Sequence, residues 1–131
     1  MKILFIGDGQ LGQMLGASAT RHGHECLLFS TRTNTVKLLS AQLALPHDLA
    51  QAIEWADVVS WEHEAIPADI MTAARAKFFI DPERIQRLTD RRDEKSLFDE
   101  CGVPTSPWQA FTTAAELEQI LVHAEQPLVI K

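Results

Sequence analysis

Long apolar runs are missing from this chain of 131 residues: the longest is four residues, as in Ile3-Leu4-Phe5-Ile6. A membrane-spanning helix needs about 18 or more, so no such helix is expected and no membrane partner with it. Lys2 precedes that apolar stretch, but Gly7-Asp8-Gly9-Gln10 interrupts it far short of a secretory core of about 7–15 residues, and a cytoplasmic protein is expected. Cysteine is scarce. Cys26 and Cys101 stand far apart with no second thiol or histidine at metal-ligand spacing, so buried reduced thiols are expected for both and no metal site is assigned. Positive charge is also in deficit: 12 Lys and Arg face 18 Asp and Glu, a formal charge of −6. Nucleic-acid binding needs a basic face, so a small-molecule ligand is the better expectation.

What is present is the composition of one soluble domain, 46% hydrophobic and 23% charged with six Gly and six Pro. Residues 2–6 are apolar on both faces, as in a strand buried inside a parallel sheet. A glycine turn follows, then a helix from Gln10 to about His22 with Leu11, Met14, Leu15 and Ala19 at helical spacing and Gly23 placed to end it. Further strands are predicted at 25–30, 57–61 and 77–80, with a helix at 67–76 between the last two. Residues 37–56 read as helical or irregular with a break at Pro46. This alternation predicts an α/β fold, a doubly wound parallel sheet with helices on both faces.

Asp81-Pro82 opens a short helix, Asp90 caps another that runs to Cys101, and Gly102 with Pro104 closes it. Beyond it, strands are predicted at 108–111 and 127–131. They flank a helix with a capping box at Thr113 and Glu116 and an inner stripe of Leu117, Ile120, Leu121 and Ala124. About thirty residues of strand, helix and strand cannot bury their apolar faces alone. The expectation is therefore a division into 1–88 and 89–131, the second part being a truncated domain whose stripe packs on another copy or is mobile.

Three groups of residues carry chemistry. Gly7-Asp8-Gly9-Gln10-Leu11-Gly12 fits G-x-G-x-x-G between a buried strand and a helix, a setting that presents backbone N–H groups and a positive helix end to an anion. The alternative is a tight turn with no ligand. Dinucleotide binding expects an acidic residue about 20 residues on, and Ser30-Thr31-Arg32 stand there instead; this disfavours NAD and leaves an NADP-binding module open through Arg32. Glu62 and Glu64 leave a strand end on one face by alternation, with His63 on the other, so the two carboxylates can share a pocket or can be ordinary surface charges. Finally, Arg91 and Arg92 open a helix against its dipole, compensated either by an anionic ligand or by Asp90, Asp93 and Glu94.

Taken in order, Gly7-Asp8-Gly9-Gln10-Leu11-Gly12-Gln13-Met14, Val58-Val59-Ser60-Trp61-Glu62-His63-Glu64, Asp90-Arg91 with Lys95, Gly102-Val103-Pro104-Thr105 and Pro127-Leu128-Val129-Ile130-Lys131 resemble N5-carboxyaminoimidazole ribonucleotide synthetase. That family comprises ATP-grasp ligases of purine biosynthesis, and the chain is similar to its front part. The resemblance implies a Rossmann-like pre-ATP-grasp domain followed by the start of an ATP-grasp domain. It also implies an enzyme that uses ATP, Mg2+ and bicarbonate to carboxylate 5-aminoimidazole ribonucleotide. Gly9, Gln10 and Leu11 would hold the substrate's ribose phosphate, Glu62 with Glu64 its ribose or amine end, and Arg91 and Lys131 the phosphates of ATP. No catalytic residue is assigned. A homodimer is expected, and the chain alone is expected to lack ligase activity. Gln13 stands where the family commonly has Arg, and His63 where it has an apolar residue. The near relative to separate is the formate-dependent glycinamide ribonucleotide transformylase of the same superfamily.

Overall fold

A computed structural model describes residues 1–39 and 48–130, which form two compact units, Met1–Asp90 and Arg91–Lys131. The first is built on a four-stranded sheet with spatial order β3-β2-β1-β4. β1 (Lys2–Ile6) pairs in parallel with β2 (Glu25–Ser30), Lys2 opposite Glu25, and with β4 (Val58–Trp61), Ile3 opposite Val58. β3 (Thr35–Leu38) pairs antiparallel with β2, Ser30 opposite Thr35.

The α/β class and the central parallel pairing agree with the sequence reading, and β3 departs from it. A strand covers residues 35 and 36, for which no element was expected, and the first two residues of the stretch expected to be helical or irregular, as the outer arm of a β2–β3 hairpin whose loop holds Asn34 at φ 53°. The expected break at Pro46 lies outside the described residues. The strand expected at 77–80 is reduced to one parallel bridge, Val59 to Phe78, after a short 3-10 turn at Arg75–Lys77.

Helices cover both faces of the sheet. On one face Leu4, Ile6, Leu27, Phe29, Val36 and Val59 pack with Ala52 and Ile53 of α2 (Leu49–Trp55). Ile70 and Met71 of α3 (Ala68–Ala73) and Ile85 of α4 (Pro82–Gln86) join the same core. Asp48 starts α2 through a reciprocal capping box with Gln51, and Asp81 caps α4 with Pro82 at its first position. On the other face Phe5, Cys26 and Leu28 form a smaller cluster with Ala19 of α1 (Gln10–Arg21). The apolar spacing of α1 misleads here: Leu11, Met14 and Leu15 are exposed, and its buried residues are Gly12 and Gly16. A Cβ on Gly16 would stand 3.0 Å from Leu39 Cδ1, so the close approach of the helix selects glycine rather than a large apolar side chain.

In the second unit α5 (Arg91–Glu100) and α6 (Ala114–Val122) are helical as expected, with Gly102 at φ 65° after α5 and the Thr113–Glu116 capping box opening α6. The strands expected at 108–111 and 127–131 are not formed among the described residues. No described residue of this unit is buried, so Cys101, expected inside a core, is exposed, whereas Cys26 is buried in the first unit as expected.

Candidate functional site

β1 is flanked by β2, reached through α1 on one face, and by β4, which follows α2 on the other. β2 and β4 thus lie on opposite sides of β1 with helices on opposite faces, and the carboxyl ends of β1 and β4 border the crevice where ligands enter sheets of this kind. Two sequence motifs meet there. Gly7, at φ 118°, turns the chain out of β1 while its N–H donates to Phe29 O at 2.8 Å. Gly9 is the N-cap of α1 and has no side chain with which to cap it. From the neighbouring strand Glu62 donates its N–H to Ile6 O at 2.9 Å, which extends the β1–β4 pairing by one step and aims the side chain into the turn.

The Glu62 carboxylate lies inside the glycine turn, where Oε2 accepts the Gly9 N–H at 2.7 Å. A Cβ at Gly7 would stand 2.5 Å from Glu62 Cβ, and one at Gly9 would collide with Glu62 Oε1. At Gly12 it would stand 2.7 Å from Gly7 O and 3.1 Å from Glu62 Oε2. The Glu62 side chain needs the room that Gly7 and Gly9 leave, whereas Gly12 is selected first by the backbone of the turn itself. The positive end of α1 and the N–H of its N-cap hold that carboxylate, as they hold any anion.

A second acidic group borders the turn. Asp8 Oδ2 accepts a hydrogen bond from the Lys37 ammonium at 2.6 Å, with side chains 19% and 25% exposed. That bond, chiefly, holds the Asp8 carboxyl below its ordinary range, against the opposing effect of burial; a hydrogen bond with the fully buried Ser30 and the charge of Arg32 act in the same direction as Lys37. Gln13 Nε2 donates to Asp8 O at 3.1 Å. Neither Asp8 nor Lys37 is singled out by the sequence reading. Lys37 sits in the strand that was not foreseen, and the alternation Thr35-Val36-Lys37-Leu38 is the local signal that would have found it.

The remaining expected site residues are distributed as follows. Gln10 and Leu11 open α1, both exposed. Glu64 is half-buried in the bend after β4; regular strand structure ends at Trp61, so alternation no longer fixes its direction relative to Glu62. Arg91, in the second unit, donates from Nη1 to Glu94 Oε2 at 2.5 Å, one turn along α5, and this pair offsets the unfavourable position of the arginine at the helix start. Lys131 lies outside the described residues. Among the described residues no three His, Cys, Asp or Glu side chains gather so as to hold a metal ion.

The model of one family, the ribonucleotide synthetase preATP-grasp domain, matches residues 1–87. Among curated relatives, the N5-carboxyaminoimidazole ribonucleotide synthase of Vibrio vulnificus strain CMCP6 is 32% identical over 133 residues, covering 100% of this chain and 35% of the relative. The formate-dependent phosphoribosylglycinamide formyltransferase of Xanthomonas campestris strain B100 is 28% identical over 151 residues, covering 99% of this chain and 36% of the relative. The chain thus spans about a third of the length of these proteins. Its fold matches the crystal structure of N5-carboxyaminoimidazole synthetase from Staphylococcus aureus complexed with ADP, with a TM-score of 0.69 and 23% identity over 92% of this chain and 35% of that one. With two thirds of its residues matched by the family model, and with its glycine turn and glutamate strand joined at the sheet crevice, the chain belongs to the ribonucleotide synthetase preATP-grasp domain family.

Proposed function

We propose that this chain is the substrate-binding front part of an ATP- and bicarbonate-dependent ligase that carboxylates the amine of 5-aminoimidazole ribonucleotide. The observation that carries the reading is the 2.7 Å bond between Glu62 and the Gly9 N–H, which unites the two motifs most specific to the resemblance in one crevice. The similarity to the Vibrio synthase supports it. In this reading Glu62 holds the Gly9 N–H until ligand arrives. The ribose phosphate then takes the N–H groups of Gly9, Gln10 and Leu11, and the released carboxylate turns to the ribose hydroxyls or the amine. Glu64 is its partner at that end. Residues 89–131 begin the ATP-grasp domain, where Arg91 and Lys131 grip phosphates of ATP. Mg2+ would supply charge stabilisation during phosphoryl transfer, and the described residues offer no set to hold it. The ligase works in the cytoplasm as a homodimer.

The test is an NMR titration of the chain with 5-aminoimidazole ribonucleotide, read at the Gly9 and Gly12 amides. Saturable shifts are expected, with affinity lowered about tenfold by Glu62→Ala, the scale of one charge-assisted hydrogen bond. Absence of saturable binding in the millimolar range would overturn the reading. The similarity to the Xanthomonas formyltransferase favours a second substrate, and tighter binding of glycinamide ribonucleotide in the same titration would select it. An NADP-binding module, resting on exposed Arg32, predicts saturable NADPH binding that Arg32→Ala abolishes. ATP-dependent carboxylation is expected to be absent from this chain by itself, and measurable turnover would refute that division of labour.

A further inference from the structure

We infer that Lys37 is a specificity-determining residue that makes the glycine turn prefer a phosphorylated ligand over its unphosphorylated counterpart. The inference rests on the proposed ribonucleotide reading and adds to it a group outside both motifs. A phosphate approaching the turn meets two carboxylates: Glu62 on the Gly9 N–H and Asp8 one residue earlier. The end of one helix carries only about half a positive charge, too little to offset both and still attract a dianion. Lys37 is the side-chain cation bonded to the turn itself, and Arg32 acts on Asp8 only through its charge.

The geometry lets Lys37 serve a ligand without leaving an orphan behind. Its backbone lies opposite Leu28, on the face of the sheet that carries α1, and its side chain reaches Asp8 in the turn. An ammonium has three N–H donors and Asp8 Oδ2 takes one of them, so the group can bridge Asp8 and a phosphate oxygen. If the ammonium moves away from Asp8, Ser30 and the charge of Arg32 still favour the ionised form of that carboxylate. The side chain is 25% exposed, enough to be approached from solvent.

The experiment compares 5-aminoimidazole ribonucleotide with its ribonucleoside, and adds inorganic phosphate, in NMR titrations of the wild-type chain, Lys37→Met and Asp8→Asn. Lys37→Met is expected to weaken the ribonucleotide by about tenfold or more and to leave the ribonucleoside within about twofold. Asp8→Asn, which removes the competing carboxylate, is expected to tighten the ribonucleotide by about threefold. A purely structural ion pair predicts that both variants weaken both ligands alike, and that result would overturn the inference. So would unchanged ribonucleotide binding in Lys37→Met. Should Lys37→Met fail to fold, the same comparison is made with Lys37→Gln in the Asp8→Asn background, where no ion pair is broken: selective weakening of the ribonucleotide relative to Asp8→Asn upholds the role and unchanged binding refutes it. Should the wild-type chain bind neither organic ligand, the ribonucleotide reading fails by itself. Phosphate-induced shifts at Gly9 and Gly12 that disappear in Lys37→Met would then uphold Lys37 as the anion contact, and shifts that persist would refute it.

Discussion

The two units of this chain are held by different kinds of contact. In Met1–Asp90 the decisive bonds join residues far apart in sequence: Gly9 to Glu62, Asp8 to Lys37, and Lys77 to the end of α2. They close around a core that includes fully buried Leu4, Val36 and Val59. From Arg91 onward the fixing contacts are local. Trp108 Nε1 donates to Asp99 Oδ2 at 3.2 Å, Lys95 bonds Thr105, and Glu116 caps its own helix, while Leu121, Val122, Leu128 and Val129 stay exposed. A cleft of about 600 Å³ runs along α6 past Gln109, Ile120 and Leu128, far in sequence from both the glycine turn and Glu62. A site assembled from distant residues needs the first kind of unit, because only a closed core holds such residues to within a hydrogen bond.

The largest expected effect breaks this contrast directly. Phe29→Ala empties a position that is 2% exposed in the first core and is expected to cost about 3–5 kcal/mol. Ile120→Ala, on the half-buried stripe of α6, is expected to cost about 1 kcal/mol or less. Urea denaturation of both variants checks the pair. Equal losses would mean that residues 91–130 possess a core of their own. The next effect concerns a helix end. The Lys77 ammonium donates to Ile53 O at 2.6 Å and to Glu54 O and Ala56 O at 2.7 Å, closing α2 from 21 to 24 residues away. Lys77→Met leaves those carbonyls without the ammonium, at an expected cost of about 1–3 kcal/mol in the same denaturation. A change below about 0.5 kcal/mol would show that water replaces it fully.

How much of this was legible follows the same division between local and distant rules. β1, the glycine turn, α1 and the caps at Asp81 and Thr113 obey neighbours within four residues, and the sequence reading finds them. β3 escaped because four residues carry too short an alternation to outweigh the reading of the stretch that follows, and because the turn at 31–34 that pairs it with β2 bears no glycine. Residues 108–111 and 127–130 have strand composition and no strand, since a strand exists only where a partner offers its ladder. Glu62 and the glycine turn were each legible as motifs. That the carboxylate fills the turn was not, because the two are 53 residues apart and meet only through the register of β4 on β1.

The smallest expected effect compares two carboxyls held below their ordinary range for different reasons. Asp8 owes its shift chiefly to the Lys37 ammonium, in a partly buried pair of the first unit. Glu116 owes its shift chiefly to the N–H of Thr112, in an exposed local cap of the second. Both are depressed in the folded state, so each favours folding above the unfolded carboxyl range, near pH 4, and loses that contribution as pH falls through its lower folded value. For Asp8 the contribution reaches the whole first unit, because Lys37 belongs to β3 and the turn to β1. Lys37→Met is therefore expected to lower the urea stability of that unit at pH 7 by about 1 kcal/mol, and by progressively less below pH 4 as Asp8 protonates in the wild type. Glu116→Gln is expected to weaken only α6, seen as faster amide exchange over residues 114–122 with the transition of the first unit unmoved. A Lys37→Met deficit that stays constant down to pH 2 would show that the lysine acts through packing of its stem rather than through Asp8.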